Sequence, residues 1–335
     1  LTSLFSLIRE LVDIPSVTGE EEALARFLEK LLADRGFRVR LQEVEPHRFN
    51  VLALAGGRAR VVLCTHLDTV KPFIPSSEDD TFIYGRGACD AKGIMGAMVT
   101  AAEALRQEDR DEVGLLFVVG EEVDSIGARH ANDLALESEY VVVGEPTENR
   151  LATGHRGALE FVLHADGTAA HSAYPERGDS AIDRLLAVLQ RIRRADWGTS
   201  TTLGTATVNI GTLTGGVAGN VIAPWAEAGV LVRVVGTAAH AQAVLDELIA
   251  GDSRLTYRIV TASDAVSCLT LDGFETAPVA FGSDIPSLTS LGRPLMVGPG
   301  SIHDAHRDDE KLDKRQALDG VQRYRDLVTR LLEPA

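Results

Sequence analysis

Cysteine is scarce: Cys64, Cys89 and Cys268 are the only three in 335 residues, and none is part of a CxxC pair. An odd, scattered set argues against a disulfide framework and against a zinc site built on thiolates. Any metal in this chain would have to be held by histidine and carboxylate. No apolar run approaches the ~20 residues that a bilayer span needs. The opening "LTSLFSLIRELVDI" lacks the basic start and continuous apolar core of a signal peptide. A cytoplasmic protein with no membrane partner is expected. Positive charge is in deficit, with 33 Lys and Arg against 49 Asp and Glu for a net −16, so the surface should repel phosphate backbones. Nucleic acid is therefore excluded as an expected partner. Heptads, low-complexity tracts and repeats with solenoid periods are missing as well.

What is present is enough apolar material, 45% of residues, for large packed cores. Up to about residue 150, apolar strand-like runs ("RFNVLALAG", "RVVLCTHLD", "EVGLLFVVG", "YVVVGEP") alternate with helix-period stretches such as Ile94 to Gln107. That alternation predicts an α/β domain with a mainly parallel sheet and helices on both faces. From about residue 158 the order reads strand, helix, strand, strand, helix, strand, a compact α+β unit. "PLMVGPG" and an amphipathic helix over Lys314 to Leu332 then resume the first style. The expected organisation is residues 1–157 and 263–335 as one α/β domain, interrupted by an inserted domain at 158–262.

"LCTHLDTV", Leu63 to Val70, places His66 and Asp68 at the end of an apolar strand, where an unpaired ionisable group is costly. Adjacent Glu121 and Glu122 end another such run, and Glu145 ends a third. Neighbouring carboxylates repel unless a cation or a shared proton relieves them. Asp90 in "GRGACDAKG" and a histidine of "GPGSIHDAH" complete a set of hard oxygen ligands with imidazole, suited to Zn²⁺, Mn²⁺ or Co²⁺. Two such ions, ~3.5 to 4 Å apart, would account for the surplus of carboxylates and form a clamp for hydrolysis. In this reading His66 is a ligand, and Asp68 accepts its other ring N–H and fixes its tautomer.

Five segments, "HLD", "GRGACDAKG", "GEE", "GEPT" and "GPGSIHDAHRDDE", resemble in content and order the motifs of the M20 metallopeptidase family, and the resemblance covers nearly the whole chain. It implies two Zn²⁺ per subunit, replaceable by Co²⁺ or Mn²⁺. His66 and Glu145 would be terminal ligands of one ion, Glu122 and His306 of the other, with Asp90 bridging. His306 is preferred to His303 because the family's ligand precedes an acidic or amide pair, as "HRDDE" does. Glu121 is implied as the general base that moves a proton from water to the leaving amine.

The middle segment resembles the family's ferredoxin-like lid and dimerisation domain, which implies a homodimer. "GTAAHSAYPERGDSAI" marks His171 as the group that stabilises the oxyanion, often from the neighbouring subunit. "GHRG" supplies Arg156, and "GGVAGNVIAPWAEAGVLVR" supplies Asn220 and Arg233 as substrate contacts. Two departures occur here: Leu231 stands where many relatives have Asp, and "NVIAP" carries an extra Ala. "FGSD" places Ser283 and Asp284 at the family's substrate loop. The expected activity is amide hydrolysis on a small N-acyl amino acid, foremost deacetylation of an N-acetyl-ornithine, -citrulline or -lysine. Desuccinylation of a diaminopimelate derivative, carrier-linked lysine release, a dipeptidase and a non-catalytic metal-binding scaffold are the alternatives.

Overall fold

A computed structural model describes residues 4–333. The chain divides into two compact units, one comprising Leu1–Thr153, Cys268–Ala277 and Ser283–Ala335, the other Gly154–Ser267 and Pro278–Gly282. The short return of Pro278–Gly282 to the second unit is a difference from the contiguous 158–262 block read from the sequence. It has no signature of its own in the linear pattern.

The first unit is built on a six-stranded sheet in the order Arg38–Glu45, Arg48–Leu54, Val113–Val118, Val61–His66, Tyr140–Val143, Arg293–Met296. The three pairings from Val113–Val118 through to Arg293–Met296 are parallel, and the hairpin Arg38–Leu54 joins the sheet antiparallel. All six residues of Val61–His66 and of Val113–Val118 are buried. Successive strand residues point to opposite faces, so both faces of the sheet centre are covered. This is the physical source of the unbroken apolar runs in the sequence. Helix Lys92–Gln107 packs against helices Leu4–Val12 and Lys314–Leu332, and Leu24, Leu28 and Leu32 of helix Glu22–Asp34 enter the same core. The Tyr324 hydroxyl donates to the carbonyl of Val297 at 2.7 Å, tying the last helix to the end of the last strand.

Glycine at 93 is required by the close approach of the loop before it. A Cβ there would lie 2.2 Å from the Ala88 carbonyl oxygen and 2.3 Å from Leu312 Cδ2. The helix start therefore presses directly on the segment carrying Asp90.

The second unit carries a four-stranded antiparallel sheet in the order Thr207–Gly215, Trp225–Val234, Gly157–Asp166, Leu255–Ser263. Trp225–Val234 alternates strictly between partly exposed and buried positions, the period-two signature of a sheet covered on one face. Helices Ala181–Arg194 and Ala238–Ile249 supply that cover around Phe161, Leu185, Val230, Val232 and Leu245. The helices begin at Ser180 and Thr237, whose side chains cap Asp183 and His240 main-chain N–H groups. Strand order and connectivity are those of a ferredoxin-like unit.

Candidate metal centre

Parallel neighbours end on the same side of a sheet, and this topology gathers the polar residues into one place. His66 closes its strand, Glu121 and Glu122 follow Val113–Val118, and Glu145 follows Tyr140–Val143. Asp90 arrives from the loop before helix Lys92–Gln107, and His306 from the turns that follow strand Arg293–Met296. His66 Nε2 lies 2.9 Å from Asp90 Oδ1. His306 Nε2 lies 3.0 Å from Glu122 Oε1 and 3.5 Å from Asp90 Oδ2. Asp90 thus stands between two imidazoles, one facing each carboxylate oxygen. His66, Asp90 and Glu122 each present a donor atom within 4.8 Å of the others. His306 is exposed and lies outside that trio but faces two of its members, Asp90 and Glu122, and His303 is exposed.

The electrostatics are those of crowded, buried acids. Burial opposes ionisation of Asp90, but hydrogen bonds from His306 and His66 outweigh it and hold the carboxyl below its ordinary range. Burial likewise opposes the charge on His66, yet the bond to Asp90 and the charges of Glu121 and Asp68 raise its pKa well above the usual imidazole value. Hydrogen bonds to Asp90 and Glu122 push His306 up to about 10. Burial, with neighbouring negative charge, drives Glu121 and Glu145 well above the carboxylate range. Acidic groups crowded in this way repel one another unless positive charge is placed among them. Two imidazoles and several carboxylate oxygens at one site form a donor set that fits Zn²⁺, Co²⁺ or Mn²⁺.

Asp68 departs from its expected role. His66 Nδ1 meets the main-chain carbonyl of Asp68 at 2.9 Å, while the carboxylate Oδ1 stands at 3.7 Å, too far for a hydrogen bond. A carbonyl only accepts, so Nδ1 carries a proton toward it and Nε2 is the nitrogen that faces Asp90. The Asp68 carboxylate instead accepts the main-chain N–H groups of Glu121 at 3.0 Å and Glu122 at 3.2 Å, and the Thr18 hydroxyl at 2.8 Å. Those two N–H groups lie beyond the strand ladder and need an acceptor. The pattern "HLD" gives no hint of this, because the partners are 53 and 54 residues away.

Asp284 belongs to the first unit and is 2% exposed, and its Oδ1 has no hydrogen-bond partner among the described residues. Burial raises it to about 6, although a hydrogen bond to Ser125 and the charge of His66 act the other way. The Ser283 hydroxyl accepts the N–H of Ile285 at 3.3 Å in the turn that follows. Within the second unit, His171 pairs with Val221 as an isolated bridge, and Ser172 N–H donates to the Asn220 carbonyl at 3.0 Å, so His171 and Asn220 share one loop pair. His171 Nδ1 accepts the Ala173 N–H at 3.1 Å, which leaves Nε2 as the ring's donor. Arg156 gives Nε and Nη2 to the Leu203 carbonyl at 3.2 and 3.0 Å, and Arg233 lies opposite Thr207 and Ala158 on its strand. Arg86 of "GRGACDAKG" and Glu310 of "GPGSIHDAHRDDE", neither of them a residue type that the metal-ligand pattern singles out at that place, form a buried pair at 2.6 Å.

Residues 62–330 match the model of the peptidase family M20/M25/M40. A peptidase M20 domain-containing protein of Schizosaccharomyces pombe is 37% identical over 97% of this chain and 84% of its own length. A protein of Aspergillus niger named "probable carboxypeptidase" is 36% identical over 98% of this chain and 90% of its own length. The crystal structure of a tripeptidase from Staphylococcus aureus superposes with a TM-score of 0.83 at 19% identity, covering 98% of this chain and 97% of that one, and shows a shared fold. With buried histidine and carboxylate donors at the sheet's carboxyl edge and a family match over most of its length, the chain belongs to the M20/M25/M40 family of metallopeptidases.

Proposed function

We propose that this protein hydrolyses an amide bond whose leaving group is an amino acid, using divalent cations held by His66, Asp90, Glu122, Glu145 and His306. The observation that carries the reading is Asp90 lying between His66 and His306, with the carboxyl of Glu121 close by and bound to neither histidine. Two zinc ions would fit this donor set of two imidazoles and three carboxylates. Such cations polarise a scissile carbonyl and make water nucleophilic at neutral pH. Glu121 takes the proton from the attacking water and delivers one to the departing amine, a task suited to a carboxyl displaced upward by burial. Asp68 holds the main chain of Glu121 and Glu122 in place. His171, donating from Nε2, serves the developing oxyanion, and Arg156, Asn220 and Arg233 meet the substrate's carboxylate end. We place the active species as a homodimer formed through the second unit.

N-acetyl amino acids and short peptides present the same leaving group and differ in what acylates it. Deacetylation of an ornithine-, citrulline- or lysine-like compound is the reading drawn from the sequence motifs. Release of a C-terminal amino acid from a short peptide is favoured by the names of relatives that are 36% to 37% identical over nearly the whole chain. Amine release from metal-loaded protein, measured on N-acetyl-ornithine, N-acetyl-citrulline, N-acetyl-lysine, N-succinyl-diaminopimelate and a dipeptide panel, separates these. Turnover confined to the acetyl set establishes the deacetylase, and turnover confined to peptides the peptidase. Silence on every compound removes the proposal in favour of a metal-binding scaffold.

A further inference from the structure

We infer that the buried Arg86–Glu310 pair is a positioning device that sets the cation affinity of the centre by fixing both Asp90 and His306; this rests on the metal-hydrolase reading above. Arg86 is 2% and Glu310 1% exposed. A buried ion pair is a poor stabiliser, because the cost of desolvating both charges is close to or above their attraction. Its presence calls for another use.

The remaining bonds of the pair indicate what that use is. Glu310 Oε1 accepts three main-chain N–H groups from one loop: Gly87 at 2.9 Å, Cys89 at 3.1 Å and Asp90 at 3.1 Å. Glu310 Oε2 receives Arg86 Nη1, which also donates to the carbonyl of Arg307 at 3.1 Å, while Arg86 Nε donates to Pro72 at 3.2 Å. Gly85 N–H closes the set on the Glu310 carbonyl at 3.0 Å. One carboxylate therefore gathers the loop that ends at Asp90, and its guanidinium partner anchors the residue directly after His306. His306 has φ of 61°, a left-handed conformation that a non-glycine residue keeps only where its surroundings hold it. The pair thus joins the two chain segments whose side chains meet as Asp90 Oδ2 and His306 Nε2. Hydrogen bonds outside a metal's ligand shell, when removed, commonly weaken metal affinity by about 10- to 100-fold.

The test uses the full-length protein, stripped of metal and titrated with Co²⁺ alone, following binding by calorimetry and by the visible absorption of the bound ion. Glu310→Gln preserves size but loses the charge and turns an amide toward Arg86. It should bind Co²⁺ about 10- to 100-fold more weakly than the parent, with an altered absorption band and an unchanged far-ultraviolet dichroism. Arg86→Lys keeps a cation beside Glu310 but loses the fork to Pro72 and Arg307; a smaller weakening in the same direction is expected. Affinity and spectrum within twofold of the parent in either folded variant overturn the inference while leaving the metal reading intact. A parent protein that binds no Co²⁺ overturns both. Failure of both variants to fold assigns the pair to the fold alone and likewise overturns it.

Discussion

Asp68, Asp90, Glu121, Glu122, Glu145 and Asp284 are six carboxyl groups in the first unit, and they do not all answer the cost of leaving water in the same way. Asp68 takes two main-chain N–H groups and a hydroxyl, Asp90 takes two imidazoles, and Glu122 takes one. Burial, with neighbouring negative charge second, pushes Glu121 and Glu145 up. A group in that position is available to carry protons. Glu121→Gln should keep cation binding and fold while lowering kcat by about 10²- to 10⁴-fold, read in steady-state assays beside a metal titration; near-normal turnover would remove the proton-shuttle role. Asp284 gives a pH prediction. Its pKa is raised from 3.8 to about 6, so its protonated form favours the folded state. That contribution is complete below about pH 3.8 and is lost as pH rises through about 6. In chelator-treated protein, Asp284→Asn should therefore gain stability over the parent as pH is taken from 4 to 8, by on the order of 2 kcal/mol. Denaturant midpoints at the two pH values check it, and a pH-independent difference would contradict it.

At the scale of elements, the centre depends on how tightly the loop carrying Asp90 is seated on the start of helix Lys92–Gln107. Gly93 allows that seating, since any Cβ would collide with main chain and with Leu312. Gly93→Ala should destabilise the first unit by about 1 to 3 kcal/mol through overpacking and displace the Asp90 loop. The expected signature is a lowered unfolding midpoint together with weaker cation binding; loss of neither would mean that the loop is more compliant than its geometry indicates. The sequence carries the type of these elements clearly, because a strand covered on both faces must be apolar throughout. Arg38–Glu45 shows the limit of that rule: only Val44 of its eight residues is buried, so its pattern lacks the unbroken apolar run. It is defined by its antiparallel register with Arg48–Leu54 rather than by composition.

For the whole molecule, two units with separate cores raise the question of whether His171 acts on the centre of its own chain. If it serves a partner chain, mixing His171→Ala with Glu121→Gln should restore part of the activity that each lacks, through hybrid dimers; no recovery after proven subunit exchange would refute action of His171 across subunits. Among the described residues no helix is long and apolar enough to cross a membrane. The residue types of the centre, their order along the chain and the α/β alternation that brings strand ends together were determined by sequence alone, since ligand chemistry and hydrophobic period are local properties. Tertiary structure decided the rest. That the Asp68 carboxylate serves Glu121 and Glu122 rather than the His66 ring, and that Glu310 clasps the Asp90 loop from more than 200 positions away, depends on which main-chain N–H groups the folded chain leaves without a ladder partner. Such demands are created by packing, and no spacing in the linear chain encodes them.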